Sequence, residues 1–374
     1  MNYRISIIDH VGEKAGMDYY SSSLAKGFIN QKHRCTIYSN FIGIESNKIT
    51  YKVYYEGHTK KNTLVQLYRF ITATIKSSYN SHKEQTDLII LHLFSANIIT
   101  LILMLIPKIF SLKIAVISHD ISSFVDNDNT LIQNLIYNTL SDHIIVHNQF
   151  SYDELVKNIK LNNPKKVNII KHGGYLDHIG EKPDKATVRK NLGLEIYGKY
   201  ILFFGQIKNV KGLDILLEAM NTLPTDIKLI IAGKPWKADF SKYDKLIEKY
   251  NLEKRIIKII RFIEDEEREK LFFAADVNVL PYRIIYQSGV LLMAMSHGLP
   301  VIASNLPANK EIIDHGRNGL LFESNNSISL SDNIIKFFKN KSEQANMSAN
   351  ALNTIQDEYN WNEIAKKYIK LLKR

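Results

Sequence analysis

The chain reads as an α/β protein of two doubly wound, parallel-sheet domains, and three observations carry that reading. Short β-branched runs alternate with longer segments of helical period from end to end. A polar, loop-like stretch from Tyr175 through GEKPDK to Arg189 interrupts the alternation once, and behind it the same rhythm starts again. The composition is that of a folded protein with more than one core: 374 residues, 45% hydrophobic and 23% charged, with 17 Gly, 8 Pro and no low-complexity tract.

In the first half, strands are expected at 4–9 (RISIID), 35–39 (CTIYS), 87–92 (DLIILH), 113–120 (KIAVISHD) and 143–148 (HIIVHN). Each is apolar on both faces, as a strand covered on both sides must be. Helices near Tyr19–Gln31, Asn62–Tyr79, 96–106 and Thr130–Leu140 alternate with them and supply the crossovers that parallel strands need. The longest apolar run, Ile98–Ile106, is far short of the ~18 residues of a membrane span. It predicts a buried or interfacial helix ending at Pro107.

Behind the polar stretch, strands are expected at 199–205 (KYILFFG), 227–233 (IKLIIAG), 256–262 (IIKIIRF), 277–282 (VNVLPY), 299–304 (LPVIAS) and 319–322 (GLLF). Helices Lys211–Met220, Tyr243–Tyr250, Glu264–Ala275 and Gly289–His297, with a short one at Glu311–Ile313, fill the spaces. The stretch 329–374 is helical, with Ser331 as its N-cap. The domains expected are 1–178, 179–352, and a C-terminal helix in 353–374 packing back toward the first.

The 49 Lys+Arg against 38 Asp+Glu give a net charge of +11, which suits phosphorylated small molecules, nucleic acid or an anionic membrane face. The excess divides almost evenly about Tyr175, and no RNP, KH or helix-turn-helix pattern accompanies it, so no nucleic-acid partner is expected. One cysteine, Cys35, allows no intramolecular disulfide and no zinc cluster, which predicts a reducing, cytoplasmic setting. The N-terminal MNYRISIIDH is too short an apolar stretch for a signal-peptide core. Asp126-Asn127-Asp128 has a D-x-D form but lies in a polar loop away from any strand end where ligands gather, so no metal is expected.

Ligands of open parallel sheets bind at the carboxyl ends of strands, which singles out Gly12, Gly16, His92, His119, Asp120, Gly205, Lys208, Lys211, Gly233, Lys234, Tyr282, Ser288, Gly289 and Glu311. Gly12 and Gly16 do not make a G-x-G-x-x-G fingerprint, so a nicotinamide cofactor is not indicated. In FFGQIKNVKG, Gly205 follows a strand and Lys211-Gly212 opens a helix, so backbone N–H groups and an ammonium meet where a diphosphate could bind. A lysine at a helix start is also commonly just a solvated charge.

The blocks FFG…KGLDILLEAM, AADVNVLPY, the helix ending MSHG, LPVIAS and EIIDHGRNGLLF resemble the retaining nucleotide-sugar glycosyltransferases of family 4. That family has the GT-B fold, two Rossmann-like domains facing a central cleft. The likeness covers the C-terminal half nearly end to end and the N-terminal half only at GMDYY, VISHD and IIKHGG. It implies that Gln206 and Lys211 stand where the family has its diphosphate-binding Arg/Lys pair, with Lys208 able to restore the second charge. Two family glutamates fall on Ile285 and Met293, so the chain resembles a divergent subgroup that holds ribose and sugar by other groups. The Ser288-Gly289-Val290 amides remain available for donor phosphate or sugar.

The same resemblance puts His119 beside the donor sugar, where it is equally readable as a structural hydrogen-bonder with Asp120 orienting it or capping the next turn. Glu311 matches an acidic residue opening a short helix that faces the sugar, or simply stabilises that helix's dipole. His172-Gly173 resembles the family's interdomain turn, with packing the competing reading. The catalytic set expected is therefore His119, Lys211 and Glu311. Gly12, Gly16, Gly205, Gln206, Lys208, Lys211, Gly233, Ser288, Gly289 and Val290 would bind the donor.

The reaction implied is retaining transfer of a sugar from a UDP- or GDP-linked donor to a hydroxyl of a glycan or lipid-linked acceptor, without cofactor or metal. Bacterial surface polysaccharide or glycolipid synthesis is the expected setting. The alternatives are a nucleotide-sugar epimerase of the same fold and a non-catalytic sugar-nucleotide-binding partner of an active transferase. The Lys60-Lys61 pair and the apolar 96–110 region add the expectation of peripheral contact at the inner face of the cell membrane.

Overall fold

The computed structural model describes residues 2–12, 16–43, 49–55, 63–120, 129–237 and 239–373. The chain forms two units, Met1–Gly173 with Tyr359–Arg374, and Gly174–Glu358. Asp126-Asn127-Asp128 and Lys60-Lys61 lie outside the described residues.

In the first unit the elements run β1 (Arg4–Ile8), α1 (Met17–Asn30), β2 (Arg34–Ser39), β3 (Ile49–Val53), α2 (Thr63–Lys83), β4 (Leu88–Leu93), α3 (Ile98–Ile109), β5 (Ile114–Ser118), α4 (Thr130–Asn134), β6 (His143–Val146), α5 (Gln149–Asn158) and β7 (Val167–Ile169). The sheet is ordered β3-β2-β1-β4-β5-β6-β7, and every pairing is parallel. Burial on both faces explains the continuous apolar runs: Ile5, Ile7, Ile90 and Ile117 meet Tyr20, Leu24 and Phe28 of α1 in one core. Strand β3 was not anticipated, because it sits at the sheet edge and its ITYKV is only half buried.

Helix α3 starts on an Asn97–Thr100 capping box and continues past Pro107 to Ile109, which corrects the expected stop. Pro107 stands in the last turn, where the missing N–H costs a single bond and the carbonyl still accepts from Phe110 and Leu112. The helix expected over 130–140 is α4 running into a π turn, Leu135–Leu140.

The second unit runs α6 (Lys185–Asn191), β8 (Lys199–Phe204), α7 (Leu213–Thr222), β9 (Ile227–Ala232), α8 (Ser241–Lys249), β10 (Ile256–Ile259), α9 (Asp265–Ala274), β11 (Val277–Leu280), α10 (Gly289–Ser296), β12 (Val301–Ser304), α11 (Pro307–Lys310), β13 (Leu320–Phe322), α12 (Ser327–Lys339) and α13 (Lys341–Glu358). Its parallel sheet is ordered β10-β9-β8-β11-β12-β13 over a core that includes Ile201, Phe203, Leu216, Leu229 and Ile231. The N-cap of α12 is Asn326, not Ser331; Ser331 is buried inside the helix with its hydroxyl on the Ile328 carbonyl.

The chain returns to the first unit as α14 (Trp361–Leu371), capped by Asn360. It lies against α1, where the Tyr20 and Tyr368 hydroxyls are 3.0 Å apart and a side chain at Gly27 would meet the Trp361 carbonyl. The units divide at Gly173 and Glu358 rather than at 178 and 352, since a break at 352 would cut through α13. Among the described residues no helix is long and apolar enough to cross a membrane.

Candidate functional site

In the second unit the strand order reverses between β8 and β11, the switch point where doubly wound sheets hold ligands. Behind β8 the chain turns through Gly205 (φ 106°), and behind β9 through Gly233 (φ 152°). A Cβ on Gly233 would come within 1.9 Å of the Gly205 carbonyl, and one on Gly205 within 3.5 Å of Val290 Cγ2, so these three expected donor residues are neighbours.

A 3₁₀ turn, Asn209–Lys211, leads to Gly212, whose left-handed φ of 65° and contact with the Pro281 carbonyl admit only glycine. That turn is clamped from behind. Arg283 bonds Asp214 through both guanidinium nitrogens at 3.0 and 2.7 Å, reaches the Asn209 carbonyl at 2.8 Å, and its backbone N–H reaches the Val210 carbonyl at 2.8 Å. Burial opposes ionisation of Asp214, but the Arg283 bonds outweigh it and hold its carboxyl below the usual pKa.

The clamp leaves Lys211 half-buried, with its Nζ 3.8 Å from the centre of the Tyr282 ring. The buried Tyr282 hydroxyl has no hydrogen-bond partner among the described residues. Lys208 lies instead with its Nζ 4.7 Å from the Trp236 ring centre, and Gln206 is exposed. Ser288 caps α10 by accepting from the Leu291 N–H at 3.2 Å, and a Cβ on Gly289 would stand 2.8 Å from the Tyr175 hydroxyl. Ile285 is half-buried and Met293 buried, so both positions matched to family glutamates are apolar in their surroundings as well as in identity.

Glu311 is the exposed C-cap of the four-residue α11 and does not open it. The helix-dipole role expected there is therefore corrected, because a carboxylate at that end gains nothing from the dipole.

In the first unit the reversal falls between β1 and β4, and buried histidines crowd the strand ends beside it. Asp9, fully buried at the end of β1, accepts from the N–H groups of Val11 (3.1 Å) and Gly12 (2.7 Å) through Oδ1 and from the Ser21 hydroxyl (2.8 Å) through Oδ2. Gly12 (φ 50°) packs so closely on Asn40 that any side chain would collide, while Gly16 (φ 69°) caps α1 in open space. Ser21 Oγ lies 3.2 Å from His92 Nε2, and His92 Nδ1 lies 2.9 Å from His119 Nε2.

His119 stacks on Phe94 with ring centres 4.6 Å apart, and Tyr20 presents its ring to His92, His119, His147 and His172 within 4.9–5.8 Å. Burial lowers the pKa of all four imidazoles: His147 to about 3, His172 to about 4, and His119 well below the usual value. For His119, His147 and His172 neighbouring histidines push the same way, while Asp9 opposes the shift at His92. His147 Nδ1 donates to the Ile170 carbonyl at 2.9 Å, which leaves its buried Nε2 unpartnered among the described residues. The ring within hydrogen-bond distance of His119 is thus His92 on the adjacent strand. Sequence reasoning had marked His92 only as a strand-end residue.

Comparison with known proteins follows the same lines. Residues 184–354 match the family model for Glycosyl transferases group 1. An uncharacterized glycosyltransferase of Methanocaldococcus jannaschii is 27% identical over 192 residues, 51% of this chain and 48% of its own length. A D-inositol 3-phosphate glycosyltransferase of Corynebacterium glutamicum is 22% identical over 376 residues, 91% of this chain and 87% of its own. The chain spans about half the length of several curated relatives it matches. HepE of Anabaena, solved with UDP and glucose, superposes with a TM-score of 0.78 at 20% identity over all of both chains, and that likeness concerns the fold. The chain thus has the GT-B fold of two Rossmann-like parallel-sheet units, and its residues 184–354 are similar to the Glycosyl transferases group 1 domain.

Proposed function

We propose that this protein is a retaining glycosyltransferase of family 4 type that moves a sugar from a UDP- or GDP-linked donor to a hydroxyl of a glycan or lipid-linked acceptor. The observation that carries the reading is the clamped Asn209–Gly212 turn at the second sheet's switch point, which holds the Lys211 ammonium over the Tyr282 ring. The second unit would take the donor, with Gly205, Gly233 and the Ser288–Val290 amides around the diphosphate and Lys211 stabilising charge as it departs. The first unit would take the acceptor, with His119 as a group for a sugar hydroxyl.

Ile285 and Met293 supply no carboxylate, so the reading assigns no covalent glycosyl-enzyme. The leaving phosphate accepts the acceptor's proton on one face of the sugar. The residues assigned need no cofactor or metal. Surface polysaccharide or glycolipid synthesis in the cytoplasm, at the inner face of the membrane, suits such a transfer.

Membrane contact draws support from an apolar and basic surface on the first unit. Leu64 and Tyr68 of α2 and Ile98 and Ile109 of α3 are each more than half exposed, and Arg69 and Lys76 are exposed on the same α2. Co-sedimentation with anionic vesicles should occur at low salt and weaken at high salt; no binding at low salt removes the membrane element.

The experiment for the main reading is a thermal-shift panel of nucleotide sugars followed by product analysis with and without acceptor. A stabilising donor, at saturation raising stability by RT ln(1+[L]/Kd), with glycosylated product supports transfer. A new sugar nucleotide from donor alone would instead mark an epimerase, and binding without turnover a non-catalytic partner.

A further inference from the structure

We propose that Asp9, Ser21 and His92 are positioning residues that fix His119 as the tautomer protonated on Nε2, so that its Nδ1 is presented as a hydrogen-bond acceptor. The direction of each bond follows from the one before it. The Asp9 carboxylate has only acceptor capacity, so the Ser21 hydroxyl donates to Oδ2 at 2.8 Å. With its hydrogen spent, Ser21 Oγ can only accept across the 3.2 Å to His92, which therefore carries its proton on Nε2. His92 is buried and its pKa is lowered by that burial, so the ring is neutral and Nδ1 is a lone pair. Across the 2.9 Å to His119, Nε2 of that ring must then be the donor.

His119 is itself kept neutral by burial and by the surrounding imidazoles, so its second nitrogen is left as an acceptor. Two neighbouring rings have bonds of their own. His147 spends its proton on the Ile170 carbonyl, and His172 bonds the Gly173 carbonyl through Nδ1 at 2.6 Å. No hydrogen bond to His119 Nδ1 is seen among the described residues.

The chemical consequence is selective. A neutral imidazole offering a lone pair accepts from a hydroxyl and cannot donate to a phosphate oxygen. Resting on the proposed transfer, His119 is then assigned to a sugar hydroxyl and not to the diphosphate. Asp9 also holds the Gly12 loop through two backbone N–H groups, so the same buried carboxylate sets both features of the β1 strand end.

The test is a long-range ¹⁵N–¹H spectrum of the full chain labelled at histidine, recorded near neutral pH without any donor, with His119 assigned by the signals lost in His119→Gln. The expected wild-type spectrum shows His119 protonated on Nε2 alone. In Ser21→Ala and His92→Leu the lock is gone and both tautomers should be populated. His92→Asn places an amide oxygen at the former Nδ1 position and should restore the Nε2-protonated form.

A wild-type ring protonated on Nδ1 overturns the proposal, and that reading needs no variant to fold. So does a His119 that keeps the single tautomer in both Ser21→Ala and His92→Leu. Because the measurement uses no substrate, the lock stands or falls separately from the glycosyl transfer. If transfer is established, kcat should fall about tenfold or more in His92→Leu and recover in His92→Asn with the tautomer.

Discussion

Lys211 is the residue at which chemistry and local geometry agree most closely. Its ammonium lies 3.8 Å from the Tyr282 ring centre on a turn clamped by the Arg283–Asp214 pair. Lys211→Met retains the aliphatic stem over that ring and removes only the charge. Turnover should fall on the order of 10²–10³, as for the loss of other electrostatic stabilisers of a departing group, while Tm moves little. Turnover within about threefold of wild type, under about 1 kcal/mol, would show that the phosphate site lies elsewhere. Gly212 separates structure from chemistry at the adjacent position. A methyl group there must adopt φ 65° and lie 1.9 Å from the Pro281 carbonyl, so the turn would have to move. Gly212→Ala should therefore destabilise the second unit by more than about 2 kcal/mol in urea unfolding and lose activity along with stability. An unchanged midpoint would mean the turn is looser than its contacts imply.

At the scale of elements, α14 shows how a distant segment completes a core. Trp361 is buried, its ring centre is 4.8 Å from that of Tyr20, and it fills the space beside Gly173 and Gly27. Trp361→Ala should cost the first unit about 3–5 kcal/mol, read as an earlier transition in its tryptophan-independent far-UV signal. A loss below about 1 kcal/mol would mean that α14 is dispensable to that core. The strands of both sheets were legible in the sequence because doubly covered parallel strands leave unbroken apolar runs. Strands β3 and β7 were not, since the two edges of the first sheet, ITYKV and the three-residue VNI, carry no such run. Pro107 misled for a related reason: its rule is local, and a proline in a final turn sacrifices little. The site was legible only where a motif is contiguous. Lys211 and Gly212 could be read from KG after a strand, and Ser288–Val290 from a helix start. The Asp9–Ser21–His92–His119 chain joins positions scattered over three strand ends and a helix, and nothing in their spacing announces it. Arg283 and Asp214 escaped notice likewise, as a pair formed only when β11 and α7 lie side by side.

At the scale of the whole molecule, buried histidines make stability depend on pH in a direction that can be worked out. His147 and His172 have folded pKa values of about 3 and about 4, depressed first by burial, against about 6.5 in an unfolded chain. Between about pH 6.5 and pH 4 the unfolded state therefore binds protons that the folded state does not. Stability must fall as pH drops through that window, by up to about 1.4 kcal/mol per pH unit for each such histidine, and stay level in this respect above pH 7. His92 and His119 act with the same sign. Urea midpoints measured from pH 7 to pH 5 should decline for the full chain by the equivalent of several kcal/mol. All four residues belong to the first unit, whereas Gly174–Glu358 is contiguous and has its own core with one such buried histidine, His297. Expressed alone, Gly174–Glu358 should fold cooperatively and show a shallower decline over the same range. A full chain whose midpoint is flat from pH 7 to pH 5 would mean that these imidazoles are not held neutral in the fold. Equal slopes for chain and fragment would place the titrating groups outside the histidine cluster.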